Sequence, residues 1–319
     1  MREIVPHSDI FTVDAHYVLE ELASIHLVRS GGRLAIVDTG TQHSIPHVEA
    51  ALEELDQSFD DVDLIMLTHI HLDHAGGAGA LMQRCPNATL VVHERGARHM
   101  ADPTKLIAGT VAVYGQNEFN RLYGDVLAIN PDRTSVPSDG DSVTLGERTF
   151  TFLDSPGHAS HHHCIVDSQT GSVFTGDTLG ISYPPLRSDD DLFLMPTTTP
   201  VQFDPDALHA SIDKIMAHTP PWLYLTHYSA VRPTPALIAG LHEQIDEFVR
   251  LTERCAQEPE GAFVSALGQR LTDYLVDRCT RQLPDISSEL AHKWIRLDAQ
   301  LNAQGLVFWW NHRRSKTVR

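Results

Sequence analysis

Three things are scarce in this chain, and each scarcity removes a class of protein. Cysteine occurs four times in 319 residues, at Cys85, Cys164, Cys255 and Cys279. With no C-x-x-C pair, this fits reduced thiols and argues against a disulfide framework. Long apolar runs are missing: no stretch approaches the roughly 18 residues of a membrane span. The opening MREIVPHSDIFTV lacks a basic segment followed by an apolar one, so the chain is expected in the cytoplasm with no membrane partner. Positive charge is also short, with 24 Lys and Arg against 42 Asp and Glu and a formal net charge of −18. Such a surface repels nucleic-acid phosphates, so a small-molecule substrate is expected in place of nucleic acid. The basic residues Arg313, Arg314, Lys316 and Arg319 read as a solvated terminus.

What the chain has in quantity is histidine, 20 residues of it, and its organising stretch is Val62–Gly77, VDLIMLTHIHLDHAGG. Val62, Leu64, Ile65, Met66 and Leu67 form the short apolar run of a buried strand. His69 and His71 are two apart in extended chain and point to one side, whereas Asp73 and His74 fall where the chain turns toward a helix. Imidazoles and a carboxylate suit zinc or iron, and open α/β sheets place their sites at the C-terminal ends of strands. A lone histidine there would merely cap the strand. The full His-x-His-x-Asp-His pattern points to metal, and further ligands are expected downstream.

Thr68-His69-Ile70-His71-Leu72-Asp73-His74 resembles the signature of the metallo-β-lactamase-fold hydrolases. Three later segments match that family in order: Ser155-Pro156-Gly157-His158, Phe174-Thr175-Gly176-Asp177 and Leu225-Thr226-His227. The resemblance covers roughly residues 10 to 235, and the wording PGHASHH and VHERGARHMADPTKL is similar to a glyoxalase II-like branch. It implies an α/β fold, an αββα sandwich over residues 1–235, with a helical C-terminal extension over 236–319 packed on it. It also implies that His69, His71 and His158 bind one ion and Asp73, His74 and His227 a second, with Asp177 between them. Two divalent ions are expected, zinc first, with iron or manganese as alternatives. Such a pair lowers the pKa of a shared water and yields a hydroxide that attacks a small thioester, ester or lactone. Asp73 belongs to this catalytic set, and Tyr183 or Tyr228 would assist the oxyanion. Two other readings stand beside the hydrolase: a mononuclear iron persulfide dioxygenase, and a non-enzymatic ligand sensor on the same scaffold. The intact second-metal set weighs against both. A β-lactamase is disfavoured because Asp177 stands where those enzymes typically place a cysteine.

Elsewhere the pattern predicts strands at Ser24–Val28 and Leu34–Val37 joined through Ser30-Gly31-Gly32, a helix over Ile45–Leu55, and a strand at Ala88–Val92. Asp38 is expected to support the loop beneath the metals, and Ala75-Gly76-Gly77 to let backbone approach them. Asp102-Pro103 predicts a helix start, with Leu106, Ile107, Thr110, Val113 and Tyr114 on one face of a helical insertion to about Tyr123. Strands follow at Ser142–Leu145, Thr149–Leu153, His162–Val166 and Ser172–Thr175. Of His161, His162 and His163, one is expected to support the ligands, while His93, His99 and His218 read as structural or surface residues. The segment Thr178–Phe203, with Pro184, Pro185, Pro196 and Pro200, shows no period. It is expected to wall the active-site cleft, with Tyr183, Leu186, Phe193 and Leu194 as substrate contacts. Beyond 235 three helical stripes are predicted: Leu237, Leu241, Ile245, Phe248 and Val249; Val264, Leu267, Leu271 and Leu275; Leu290, Trp294, Leu297 and Leu301. The ending Leu306-Val307-Phe308-Trp309-Trp310 would roof the site or form a homodimer contact.

Overall fold

The computed structural model describes residues 1–189, 191–198 and 202–317; Pro200, Arg319 and the side chains of Val113 and Lys316 lie outside the described residues. The chain divides into two compact units. The first comprises Met1–Asp154, His161–Gly176 and His218–Arg232, and the second Ser155–Ser160, Asp177–Ala217 and Pro233–Arg319.

The first unit holds the sheets. Its elements run β1 (Ile10–Asp14), β2 (Ser24–Ser30), β3 (Arg33–Val37), α1 (Ile45–Glu54), β4 (Val62–Met66), α2 (Leu72–Ala75), α3 (Ala78–Arg84) and β5 (Thr89–Val91). They continue with α4 (Glu94–Ala101), α5 (Thr104–Tyr114), α6 (Gln116–Tyr123), β6 (Thr134–Ser135), β7 (Ser142–Leu145) and β8 (Arg148–Asp154). The last are β9 (His163–Asp167), β10 (Val173–Gly176), β11 (Leu223–Leu225) and β12 (Ser229–Val231). The described strands form two six-stranded sheets, ordered β1-β2-β3-β4-β5-β6 and β12-β11-β10-β9-β8-β7. The first opens as an antiparallel meander and turns parallel from β3 onward, because α1 and the helices after β4 return the chain for each new strand. In the second, β10 and β11 are the parallel pair.

Period-2 patterning sets which residues face inward. On β8, Phe150 and Phe152 are buried while Thr149 and Thr151 are half-buried. Phe150 and Phe152 join Val28, Val37, Met66, Ile165 and Phe174 in a core to which both sheets contribute. Ile25, Leu27, Ile36, Ile65 and Leu67 instead pack with Ile45, Val48 and Leu52 of α1 and Leu81 and Met82 of α3. The helical insertion differs in detail from its prediction. It starts at Thr104, one residue late, with Asp102 Oδ1 accepting from the Thr104 amide and hydroxyl at 3.1 and 2.6 Å. It also breaks into α5 and α6 at Gly115, whose φ of +80° no helix accommodates.

The second unit contains α7 (Pro205–Met216), α8 (Pro235–Cys255), α9 (Glu260–Gln282) and α10 (Ser288–Thr317). Asp204 and Thr234 cap α7 and α8, accepting from Ala207 N and Leu237 N, and a proline opens each helix. The α8 and α9 stripes are buried at Leu241, Ile245 and Phe248 and at Leu267, Leu271 and Leu275. The α10 stripe is a correction: Leu297 is 55% exposed, and the buried face is Ala291, Ile295, Ala299, Ala303 and Leu306. Of the predicted stripe, Leu290, Trp294 and Leu301 are half-buried beside this face. Small residues at a spacing of four let this helix lie close against its neighbours, and size pattern alone does not reveal that.

Candidate metal centre

Each predicted ligand lies where a strand stops. In the first unit β4 ends at Met66, and the chain runs through Thr68, His69 and His71 into α2, whose short span carries Asp73 and His74. His69 and His74 are fully buried. His69 Nε2 and His71 Nδ1 stand 3.0 Å apart. His227, just beyond β11, brings Nε2 to 3.3 Å from Asp73 Oδ2, and His74 Nε2 is 3.4 Å from the same oxygen. Asp73, His74 and His227 each offer one ligand atom, all within 4.8 Å of one another. His227 Nδ1 donates to the Leu22 carbonyl at 2.7 Å, which sets Nδ1 as a protonated nitrogen and turns Nε2 toward Asp73.

In the second unit His158 follows β8 and Asp177 follows β10. His158 Nδ1 donates to the Thr197 carbonyl at 3.1 Å, and its Nε2 lies 3.5 Å from Asp177 Oδ2. The same tautomer logic applies: the outer nitrogen is spent on backbone and the inner one is presented to the carboxylate's side. Buried imidazoles whose outer nitrogens are held by backbone carbonyls suit divalent ions. The described residues thus include His and Asp groups that could hold metal.

Within the first unit, beneath the loops that carry His69 and His227, lies Asp38, 1% exposed. Its carboxylate accepts from Thr68 N at 2.8 Å, from Thr68 Oγ1 at 2.9 Å and from Thr226 Oγ1 at 2.8 Å, so it ties the β4 loop to the β11 loop. Burial pushes its carboxyl above the usual carboxylate range, while His74 and the Thr68 and Thr226 hydrogen bonds pull the other way. The support expected of Asp38 is therefore present. Gly77 approaches a neighbouring loop: a Cβ there would stand 2.7 Å from Thr41 O and 2.8 Å from Thr39 O. The close approach expected toward metals is made to that loop.

Among the three later histidines, His163 is the one that supports. Its Nε2 donates to the Leu67 carbonyl at 2.7 Å, and burial lowers its pKa to about 3, so the ring is neutral. His162 lies against His69 with ring centroids 4.8 Å apart. His161 stands 5.4 Å from the His71 ring. His93 caps α4 through Arg95 N and pairs with Asp154 at 2.9 Å, and His218 is exposed. Tyr228 is buried beside His227. Tyr183 is buried too, its hydroxyl donating to Asp298 Oδ2 at 3.1 Å and its ring lying 5.3 Å from Trp294. Leu186, Phe193 and Leu194 are also buried.

Sequence reasoning missed a tyrosine group. Tyr17 and Tyr123 hydroxyls lie 3.2 Å apart, with the Tyr114 ring 6.4 Å from that of Tyr123. Burial raises all three phenols, and the negative charge of Asp73 raises them further. They come from separate parts of the chain, and no spacing rule links them.

A two-sheet α/β sandwich with His and Asp donors clustered at its strand ends defines a metal-binding class. The chain belongs to the metallo-beta-lactamase superfamily, whose family model matches residues 20–227. It is 28% identical to the human acyl-coenzyme A thioesterase MBLAC2 over 176 residues, which are 49% of this chain and 58% of that protein. It is 31% identical to a hydroxyacylglutathione hydrolase of Xanthomonas campestris over 153 residues, 48% of this chain and 44% of that protein. The chain thus spans about half the length of these curated relatives. In structure it resembles ST1585, an archaeal superfamily protein from Sulfolobus tokodaii, with a TM-score of 0.64 at 20% identity over 94% of this chain and 99% of that one. At that identity the likeness speaks for the fold. Among the described residues no helix is long and apolar enough to cross a membrane.

Proposed function

We propose that this chain is a metal-dependent hydrolase of a small thioester, ester or lactone. By the family's pattern, His69, His71, His158 and Asp177 would take one ion and Asp73, His74 and His227 a second, with Asp177 shared; within the first unit, Asp73, His74 and His227 offer compatible donors. The observation that carries the reading is the Asp73, His74 and His227 group, because a one-iron oxygenase needs no such second set. Bound divalent ions supply a Lewis acid for the carbonyl oxygen and a hydroxide nucleophile at neutral pH. Zinc is the first candidate for both positions, with iron or manganese next.

The chain's own residues do the positioning. The Leu22 and Thr197 carbonyls hold His227 and His158 with Nε2 forward. Asp38 holds Thr68 and Thr226, so the loops that carry His69, His71 and His227 keep their spacing. Tyr228, next to His227, or Tyr183, whose hydroxyl donates to Asp298, is assigned to the developing oxyanion. The names of the two relatives, a thioesterase and an acylglutathione hydrolase, favour a thioester within the proposed class. A small-molecule partner, a cytoplasmic location and a homodimer remain parts of this proposal.

The test is a panel of acyl thioesters, aryl esters and lactones, offered to zinc-loaded protein and to protein stripped by chelator. Turnover of one class, lost on stripping, restored by metal and lowered at least about 100-fold in His227→Ala, is the expected result. Metal-bound protein inactive on the whole panel, with one iron per chain and oxygen uptake on persulfide, would replace the reading.

A further inference from the structure

Helices α7 and α8 bring four ligand-type side chains together, outside the set of candidate ligands already described. His209 and Asp213 stand four residues apart on α7, and His242 and Asp246 stand four apart on α8, so each pair shares one helix face. The pairs cross between the helices. His209 Nε2 lies 3.2 Å from Asp246 Oδ1, and His242 Nε2 lies 3.4 Å from Asp213 Oδ1. The inner nitrogens meet, with His209 Nδ1 and His242 Nδ1 2.5 Å apart. The ring planes differ by 10° and the centroids are 4.8 Å apart. That separation is the nitrogen gap plus one ring radius at either end, so the imidazoles lie edge to edge, each Nδ1 aimed at the other.

An ionised carboxylate only accepts, so a proton on each outer nitrogen would face Asp246 and Asp213, and each ring would then turn an Nδ1 lone pair toward its neighbour. Two lone pairs facing each other call for a positive centre between them. A shared proton is one candidate, although an N–H donor and its acceptor ordinarily stand about 2.9 Å apart. A metal ion is the other, and the surroundings suit it. A carboxylate on the far nitrogen is the arrangement that orients ligating histidines and raises their basicity. The two histidine side chains are 25% and 24% exposed, so water can fill the remaining coordination positions. His209 and Asp246 also line an open groove with Asp204, Asp206, Trp309 and His312, which gives an ion a route from solvent.

We propose that His209 and His242 bind one divalent transition-metal ion through Nδ1, of the zinc, nickel or copper class that imidazole favours. Asp246 and Asp213 hold the outer nitrogens, and the ion clamps α7 to α8. Metal–nitrogen bonds of about 2.0–2.1 Å at a tetrahedral angle need the two nitrogens to part by about 1 Å and both rings to turn so that their lone pairs converge on the ion, which side-chain rotation supplies. With two protein ligands the site is open and gives up its ion to chelator readily.

The experiment is a metal count on the full chain, by elemental mass spectrometry after equilibrium dialysis against a fixed excess of zinc, with the dialysate subtracted, for wild type, His209→Ala and His242→Gln. Both variants should carry about one equivalent fewer than wild type. Their remaining metal and their circular dichroism should be unchanged. Equal counts in wild type and the folded variants would overturn the proposal and leave the shared proton as the occupant. Should His209→Ala fail to fold, His242→Gln, which keeps the side chain's reach and a polar end, decides alone. The comparison is a difference between chains with the same other donors. It stays readable even if the proposed hydrolytic centre takes no ion.

Discussion

Asp38 does its work as a spacer for ligands and needs its charge for that. Its two oxygens collect one amide and two hydroxyl donors from the loops on which His69 and His227 ride. In Asp38→Asn one oxygen becomes an NH2 group, which cannot accept from Thr226, so the Thr226 hydroxyl must turn to accept instead and the charge-assisted bonds to the carboxylate are lost. The ligands stay in place chemically while their spacing loosens. Metal retention should fall about 10–100-fold, the usual cost of losing a group that orients ligands, as measured by competition against a chromophoric chelator. An unchanged competition curve would mean that the loops hold their spacing without it. His158 and His227 depend on backbone carbonyls for the same service, and no substitution of a partner side chain can remove those.

At the scale of elements, the first unit turns on one buried arginine. Arg148 of β8 is 1% exposed and forks onto Asp167 of β9 at 2.6 and 2.7 Å, while its remaining protons reach the carbonyls of Arg29 on β2 and Ser8 ahead of β1. One side chain therefore bridges both sheets. Burial raises the Asp167 carboxyl, but the Arg148 and Thr170 hydrogen bonds prevail and hold it below its ordinary value. A depressed carboxyl stabilises the fold above its unfolded pKa, and that contribution is lost as pH falls through the folded value. Arg148→Met leaves an uncompensated buried carboxylate and should cost about 3–5 kcal/mol in urea unfolding. The double variant Arg148→Met with Asp167→Leu should recover part of that loss. In the second unit the comparable element is the alanine face of α10. Ala299→Leu inserts volume where the side chain is fully buried and should destabilise by about 1–3 kcal/mol, read as a lower thermal midpoint. The reverse change at exposed Leu297, Leu297→Ala, should be close to neutral.

For the whole molecule, acid should act before carboxylates are titrated. His26 and His163 are fully buried in the first unit, and burial lowers them to about 4 and about 3. Each binds a proton in the unfolded chain near pH 6.5 while the folded chain stays neutral. Their stabilising contribution is therefore complete above about pH 6.5 and is lost as pH falls toward the folded values, at about 1.4 kcal/mol per pH unit for each. Unfolding free energies of metal-free protein at pH 7 and pH 5 should show this slope, and His26→Gln should flatten it. Metal-free protein matters because ligand protonation also releases ions. A pH-independent stability across that range would show that the two rings find protons in the folded state.

The candidate donor groups were legible in the chain because strand ends and spacing are local. An apolar run closed by His69, His71, Asp73 and His74 states its geometry in seven residues, and the β2–β3 hairpin and the Phe150–Phe152 alternation are local in the same sense. Family membership followed from the order of four such segments. What pairs residues across the chain was not legible. The Asp38 to Thr226 tie, the Arg148 fork, the Tyr17 and Tyr123 contact and the His209 and His242 meeting each join positions 19 to 188 residues apart. The α10 face also escaped, because the periodicity of four was carried by alanines whose value lies in what they allow to come close. The sequence by itself determined which chemistries stand at which strand ends, since hydrophobic period and turn residues act within a few positions. The tertiary structure decided which hydrogen bonds spend one nitrogen of each histidine and which carboxylate is buried beneath the ligands, since those contacts exist only when distant segments meet.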